Sequence, residues 1–538
     1  MELHPATLWE AISDAVPDRP AIVQGPVRRT WRDFDDRSAR LAGALLAQGI
    51  GAGAKVGQLL YNGPEYLEVY FSALKIRAVP FNINYRYTAD EIAYILADAD
   101  AEALVFHSSL GDVVAEALSK NSSLKFLLEV DDGGGHLDGS VRYEEAVATA
   151  LPAPRVDRSP DDITMVYTGG TTGMPKGVVT KVGPSLAYLL ENVPPLIGQP
   201  PVALDDVPSF TAGLEEVLVS LPASPLMHNT ALGIGATPAL AIGGTVVLLE
   251  QRRFDAGALW DTVAAERVNA ITIVGDPFAR PMLTALREER GRDLTCLRTI
   301  ASSGAMFSSE VKAGLLQHIP QAVIIDIIAA TEGAMGMSIA TADAPSETGR
   351  FYPNPGVIVI AEDGRRVEPG SDEPGLVALP GGAEGYYKDE AKTAATFREI
   401  DGCRYTLPGD YATVNLDGSI SLLGRGSSCI NTAGEKVYPE EVEEALKALP
   451  WVEDALVFGV SDERFGQKVA AVLSRASGMH GPVEDILAAL RKKLAAYKLP
   501  RDIVVVDVVP RTNVGKPDYP KARAVFETSA HGDAPKDA

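Results

Sequence analysis

Hydrophobic and polar positions follow two periods along most of the chain. Short apolar runs with the composition of strands alternate with stretches in which apolar residues return every three to four positions, the spacing of a helix face. Residues 6–50 carry an amphipathic helix, a short strand pair (AIVQGPVRRTW) and a second helix (DRSARLAGALLAQGI). The order then becomes strand AKVGQLLY, helix EYLEVYFSALKI, strand AVPFNIN, helix ADEIAYILADAD, strand AEALVFH. The same rhythm returns as GTVVLLE (244–250), helix ALWDTVAAERV, AITIVG (270–275), helix PMLTALREER, LRTIASSG (297–304), helix SSEVKAGLLQHI and AVIIDII (322–328). Apolar strands alternating with periodic helices predict parallel α/β layers.

From about residue 350 the pattern changes. Glycine, proline and aspartate become dense, as in AEDGRRVEPGSDEPG and NLDGSISLLGRG, and these are hairpin signals. After Arg425 a small α+β unit is predicted: helix VYPEEVEEALKAL, strands EDALVFGV and KVAAVLSR, helix VEDILAALRKKLAAYKLP, strand DIVVVDVV. The final TSAHGDAPKDA has the composition of a disordered tail. The expected division is a large unit over 1–424 and a small one over 425–538, with no fixed-period repeat.

Length agrees with two or more domains, since 538 residues exceed what one core supports. Hydrophobic residues at 46% and charged residues at 22% are ordinary for a globular enzyme. The longest apolar stretch, residues 239–249, contains glycine and falls short of a membrane span. The N-terminus lacks the basic-then-apolar order of a signal peptide. Cys296, Cys403 and Cys429 are scattered and odd in number, so neither a disulfide framework nor a CxxC metal site is supported and a reduced, cytoplasmic setting is expected. A net charge of −23 argues against nucleic-acid binding. It leaves room for a phosphate ligand, because backbone amides and a few cations can hold an anion inside an acidic protein.

Such a ligand is suggested by MVYTGGTTGMPKGVV, residues 165–179. Thr168, Gly169, Gly170, Thr171, Thr172 and Gly173 form a tight turn that exposes backbone N–H groups and hydroxyls, and Lys176 adds a positive charge. A Walker A loop requires Ser or Thr after the lysine; here Gly177 follows Lys176, so the hydroxyl that would hold magnesium is missing.

YTGGTTGMPKG closely resembles the signature loop of the adenylate-forming superfamily of acyl-CoA synthetases, aryl-CoA ligases, luciferases and peptide-synthetase adenylation domains. Further motifs follow in that family's order, over roughly residues 5–525. The resemblance implies a large N-terminal domain of layered α/β subdomains plus a β-rich subdomain, and a small mobile α+β C-terminal domain. ATEG (330–333) is similar to the family's Y-G-x-T-E segment, which implies that Thr331 contacts nucleotide phosphate and Glu332 binds magnesium. Ile328 and Ala329 stand where tyrosine and glycine are usual, followed by Ala330, so the aromatic that stacks on adenine is absent. SSGAM (302–306), with Ser303, Gly304 and Ala305, resembles the adenine loop. LPGDYA (407–412) resembles the [ST]-G-D block, which makes Asp410 the acceptor for the ribose hydroxyls.

LLGRGSSCINTAGEKVYPEEVEEAL (422–446) resembles the hinge block. It implies that Arg425 contacts ribose or phosphate, that Ser427 is the hinge, and that Gly434, Glu435 and Lys436 line the coenzyme A channel. VPRTNVGKPDYPKARA (509–524) resembles the block whose catalytic lysine, here Lys516, reaches the α-phosphate and the substrate carboxylate. SPLMHNTAL (224–232) implies that His228 gates an acyl pocket lined by Asn229, Leu232, Gly233 and Ser302.

The family chemistry thus implied uses ATP, Mg2+ and coenzyme A. A carboxylic acid becomes an acyl-adenylate through Thr168, Thr331, Glu332 and Lys516, and the acyl group passes to a thiol. The small, apolar HNTALGIGATPALAIGG (228–244) suits a hydrophobic acid, and two stretches resemble bacterial ligases of steroid side-chain acids. Medium-chain, aryl and arylalkanoic acids stay open, as do a carrier protein as thiol acceptor and a homodimer as assembly. An oxidoreductase is not supported, because GIGATP (233–238) lacks the last glycine of GxGxxG, and no GxSxG marks a hydrolase. A non-catalytic nucleotide-binding protein would lack Lys516, Glu332 or the loop; all three are present.

Overall fold

A computed structural model describes the chain except residues 121–123, 169–173, 290, 426–429, 433–434, 463–465, 480–481, 492–493, 495, 513–516 and 531–538. Among the described residues the strands form three sheets, of fifteen, eight and five strands. The chain is mixed α/β, as its two periods predict.

The eight-stranded sheet contains the first alternating stretch. Lys55–Leu59 lies between Val79–Asn82 and Ala101–His107, all parallel. Beyond Val79–Asn82 comes Ile163–Thr168, also parallel, and from there the sheet turns antiparallel through Lys176–Lys181 and the two-residue strand Gly385–Tyr386. The helices between strands begin where the sequence supplies caps. Thr30 and Asp33, and Thr88 and Glu91, make reciprocal capping boxes at the starts of Trp31–Ala47 and Ala89–Asp98.

The fifteen-stranded sheet has the antiparallel edge strand Val27–Thr30 and then runs parallel through Pro20–Gln24, Thr245–Leu248, Val219–Pro222, Ala270–Ile273, Thr299–Ser303 and Val323–Ala330. It reverses at Gly333–Ala340, which pairs antiparallel with Val323–Ala330, and continues into the glycine-rich hairpins up to Ile420–Arg425. The eight-stranded sheet thus reverses after Ile163–Thr168, and the fifteen-stranded sheet reverses at the turn Thr331–Glu332.

The five-stranded sheet pairs Ile430–Thr432, Glu435–Val437, Val452–Asp462, Gly466–Arg475 and Asp502–Val506. Its helix Pro439–Lys447 packs toward Ile420–Arg425, and Tyr438 at its start meets Tyr411 at 5.7 Å between ring centroids.

Three elements differ from the sequence pattern. The helix expected from Pro281 starts earlier and covers Gly275–Glu288, with Pro281 inside it. Gly275 sits at φ +52°, where a side chain would meet the carbonyls of Ala305 and Met306, so only glycine lets this helix start against that turn. The helix expected over 483–500 is described only over Val483–Leu490. Thr528–Ala530, assigned to the tail, belong to the helix Tyr519–Ala530, and the rest of that tail lies outside the described residues.

Two buried ionic contacts generate predictions. Lys312 on the helix Ser309–His318 and Asp326 on the adjacent strand are 2% and 4% exposed and lie 2.7 Å apart. Burial pushes the Asp326 carboxyl up to about 6, against the pull of Lys312. Lys312→Met leaves that carboxylate buried without its ammonium partner, and the expected loss is about 3–5 kcal/mol in chemical denaturation, while Lys312→Met with Asp326→Leu loses less. Glu444, on the helix Pro439–Lys447, faces Gly349 of the fifteen-stranded sheet region. Burial pushes its carboxyl up to about 7; Lys447 and Lys312 pull it down, and Glu441 and Glu347 push it further up. A raised carboxyl favours the folded state below the ordinary glutamate range and loses that contribution as pH rises through about 7. Glu444→Gln is therefore expected to gain stability relative to the parent between pH 5 and pH 8, read as the difference in melting midpoint at each pH.

Candidate active site

The phosphate-loop strand is fixed by one buried side chain. Asn82, at the end of its strand, accepts from Tyr167 N at 2.7 Å and donates to Tyr167 O at 3.0 Å. Its amide also donates to Met227 O at 2.8 Å. Thr168, the next residue after Tyr167, is thereby held beside the Pro225–His228 turn, and the first phosphate-loop residue and the start of the expected acyl pocket are brought together. No motif singles out Asn82. Gly169, Gly170, Thr171, Thr172 and Gly173 lie outside the described residues.

Across the loop, Lys176 stands opposite Thr168 in the antiparallel register. Its ammonium is 3.2 Å from Asp389, and that hydrogen bond raises its pKa, so it stays charged. Asp389 also accepts from Lys392 N at 3.0 Å and so caps the helix Glu390–Thr396.

Thr331 and Glu332 occupy the tight turn between Val323–Ala330 and Gly333–Ala340 and are half-buried. The phenol of Tyr386 donates to Glu332 Oε1, and Ala383 N donates to the Glu332 carbonyl at 2.9 Å. Among the described residues Glu332 Oε2 carries no hydrogen bond. Neither Tyr386 nor Asp389 was selected from the sequence.

A cavity of about 610 Å3 opens beside the strand that leads into this turn; Thr331 and Glu332 are not among its lining residues. Gly304 and Ala305, Ile328 and Ala329, and Asp410 line one side, together with Asp326 and Phe351. Asp410 begins its strand opposite Arg425 and is 9% exposed. Glu440, Glu444 and Lys447 line the other side with Arg511, Pro517 and Tyr519. The residues expected to hold adenine and ribose thus share one space with the segments on both sides of Lys516. Lys516 itself, Ser427 and Gly434 lie outside the described residues, as do the side chains of Arg425, Glu435 and Lys436.

The segments flanking Lys516 are firmly tied. Arg511 makes a two-pronged contact with Asp454 at 2.6 and 2.7 Å, and the Tyr519 hydroxyl donates to Glu443 at 3.0 Å. Burial raises the Asp454 carboxyl, but the bond from Arg511 and the charge of Lys447 outweigh it and hold it below its ordinary value.

The expected acyl residues divide. His228, Leu232 and Gly233 are half-buried and Asn229 is exposed, within or beside the π-helical Thr230–Ala236. Ser302 and Ser303 are buried, and Ser302 Oγ accepts from Gly275 N at 3.0 Å, so its hydroxyl serves the start of a helix. Ala330 is 9% exposed and belongs to a core cluster with Ile328 and Phe351. Gly235 also differs from the simple reading of small residues as open space: a Cβ there would lie 2.7 Å from Pro222, so that glycine is needed for close packing.

The family described as AMP-binding enzyme matches residues 9–387, and the AMP-binding enzyme C-terminal domain matches residues 441–516. Over 532 residues the chain is 40% identical to a 3-oxocholest-4-en-26-oate–CoA ligase of Rhodococcus rhodochrous, covering 96% of this chain and 95% of that one. Over 535 residues it is 39% identical to the medium-chain acyl-CoA ligase Mig of Mycobacterium avium, covering 96% of each chain. Its fold is that of the anthranilate CoA ligase AuaEII, solved with anthranoyl-AMP, at a TM-score of 0.84 over 98% of both chains and 22% identity.

Proposed function

The chain belongs to the AMP-binding enzyme family, and we propose that it uses ATP to activate a hydrophobic carboxylic acid and passes the acyl group to coenzyme A. The observation that carries this reading is the cavity shared by Gly304, Ala305, Ile328 and Asp410 with Arg511, Pro517 and Tyr519. In that space a nucleotide base and ribose meet the segment that bears Lys516.

A carboxylate is a poor electrophile, and transfer to AMP gives it a good leaving group. Adenine enters beside Gly304 and Ala305 against the aliphatic wall of Ile328. Asp326, which lines the same space, can accept from the exocyclic amine of adenine; guanine presents a carbonyl at that edge, which a carboxylate repels. Asp410 accepts from the ribose hydroxyls, and Arg425 reaches ribose or phosphate. The loop 168–173 and Lys176 hold the β- and γ-phosphates.

Glu332 fits magnesium. That ion commonly takes one or two carboxylates and fills its remaining positions with substrate phosphate and water. Among the described residues no group of three or more His, Cys, Asp or Glu side chains could hold a metal alone, and Glu332 has one carboxylate oxygen clear of hydrogen bonds. Magnesium, when bound, offsets charge on the leaving pyrophosphate. Lys516 stabilises the charge that develops on the α-phosphate and on the acid as the carboxylate attacks.

In the second step the thiol of coenzyme A attacks the acyl carbonyl and AMP leaves. We assign the channel to Gly434, Glu435 and Lys436. We divide the chain into a large domain over 1–424 and a small one over 425–538 that turns about Ser427 and withdraws Lys516. The two relatives act, by their names, on a steroid side-chain acid and on medium-chain acids, and a bulky or medium-chain hydrophobic acid is the class we assign here. The half-buried Leu232 and Gly233 near His228 are placed to meet it. No helix among the described residues is long and apolar enough to cross a membrane, and the cellular setting we assign is cytoplasmic.

The test supplies ATP, magnesium and coenzyme A with short, medium and long fatty acids, cinnamates, arylpropionates and steroid side-chain acids. Acid-dependent pyrophosphate release with the matching acyl-CoA in mass spectrometry is expected for the hydrophobic acids. Release without acyl-CoA would assign the thiol to a carrier protein instead. Lys516→Ala is expected to lower acyl-adenylate formation by about 10²- to 10³-fold, while conversion of a supplied acyl-adenylate to acyl-CoA persists. Equal loss of both steps would refute the role given to Lys516.

A further inference from the structure

Lys176 and Glu332 belong to different sheets, yet both are held by one short stretch of chain, residues 383–389. Gly385 and Tyr386 pair with Val179 and Val178 as the last strand of the eight-stranded sheet, and Tyr387 N donates to Gly177 O at 2.8 Å. This fixes the stretch one residue from Lys176. Asp389 then contacts the Lys176 ammonium. In the other direction Ala383 N holds the Glu332 carbonyl, and the Tyr386 phenol holds its carboxylate.

The Tyr386 ring has no freedom to leave. It is 8% exposed, packs edge-on against Phe397 with centroids 5.9 Å apart, and lies under the Lys392 ammonium at 4.3 Å. Its own N–H donates to Thr393 Oγ1 at 2.9 Å. A donor fixed in this way selects one rotamer of the carboxylate it meets. Because it takes Oε1, it leaves Oε2 facing the side on which no described residue binds it.

We infer that Tyr386 is a positioning residue for the cation-binding carboxylate of Glu332, and that residues 383–389 set the spacing between this carboxylate and the phosphate-binding Lys176. The inference rests on the reading of Glu332 as the magnesium ligand. Its physical content is preorganisation: a carboxylate already held by a phenol does not have to be ordered when the cation and its nucleotide arrive. Partners that orient a metal ligand in this way typically change metal affinity by about 10- to 100-fold when removed.

The experiment measures Mn2+ binding in the presence of a non-hydrolysable ATP analogue, by electron paramagnetic resonance of the free ion, in the parent protein, Tyr386→Phe, Glu332→Gln and the double variant. Phenylalanine keeps the ring and its contacts with Phe397 and Lys392, so the melting midpoint serves as a check on packing. Tyr386→Phe is expected to weaken Mn2+ binding about tenfold while metal-free binding of the analogue is unchanged. In turnover, kcat/KM at limiting magnesium should fall more than kcat at saturating magnesium. Because Tyr386 acts through Glu332, its removal should add nothing in the Glu332→Gln background; a merely structural contribution would add there as well. Parent-like Mn2+ affinity in Tyr386→Phe with a loss in Glu332→Gln would overturn the inference and leave the role of Glu332 intact. Parent-like affinity in Glu332→Gln would overturn the role of Glu332, and the inference with it.

Discussion

Asn82 makes three hydrogen bonds from a buried position, two to the backbone of Tyr167 and one to Met227. A buried amide with its groups satisfied is a stiff connection, because leaving any of them unpaired costs its full desolvation. This one joins the strand that enters the phosphate loop to the turn that follows Val219–Pro222 in the other large sheet. Without such cross-links the two sheets would present their ends to solvent independently. The turn Thr331–Glu332, where the fifteen-stranded sheet reverses, is tied to the eight-stranded sheet separately, through Ala383 and Tyr386.

The electrostatics of the site follow from a chain that is strongly acidic. Lys176 is paired with Asp389, Lys312 with Asp326 and Arg511 with Asp454. These acids orient and retain cations; they do not themselves suit a polyphosphate. Under the proposed function an acidic cleft accepts ATP because the nucleotide arrives with a divalent ion that needs one carboxylate, and because Lys176 exchanges part of its contact with Asp389 for phosphate. Asp389 remains useful after that exchange, since it caps the helix Glu390–Thr396. The buried pair of Lys312 and Asp326 has a different role. Asp326 lines the cavity, and its pair with Lys312 ties the helix Ser309–His318 to the strand that carries Ile328.

The sequence made the parallel cores readable, because strands buried on both faces alternate with helices whose apolar stripe is regular. Dense glycine, proline and aspartate marked the hairpins after residue 350. The pattern failed where long-range contacts override local signals. Pro281 reads as a helix start, but the apolar face of Phe278, Ala279 and Met282 packs into the core and carries the helix back to Gly275. The pair Ile430–Thr432 and Glu435–Val437 is too short and too polar to alternate. Glu332, Lys176 and Asp410 were legible because they stand in long motifs. Asn82 and Tyr386 were not: their partners lie 145 and 54 residues away, and nothing in the neighbouring residues distinguishes them from ordinary core or loop positions.

The ties around Lys516 bear on how it can leave the site between the two proposed steps. Arg511 is anchored to Asp454 on the strand Val452–Asp462, and Tyr519 to Glu443 on the helix Pro439–Lys447. Glu443 is buried and the other three are half-buried, and a hydrogen bond to a charged group contributes about 1.5–3 kcal/mol. Swinging the lysine segment out alone would break such contacts on both of its flanks. Turning the whole five-stranded unit breaks none of them, since all four residues travel together. What must part is the face between that unit and the large sheets, where Tyr438 meets Tyr411 and Glu444 meets Gly349. Burial pushes the Glu444 carboxyl on that face up to about 7. The proposed withdrawal of Lys516 therefore breaks fewer of these contacts if the five-stranded unit turns as a body.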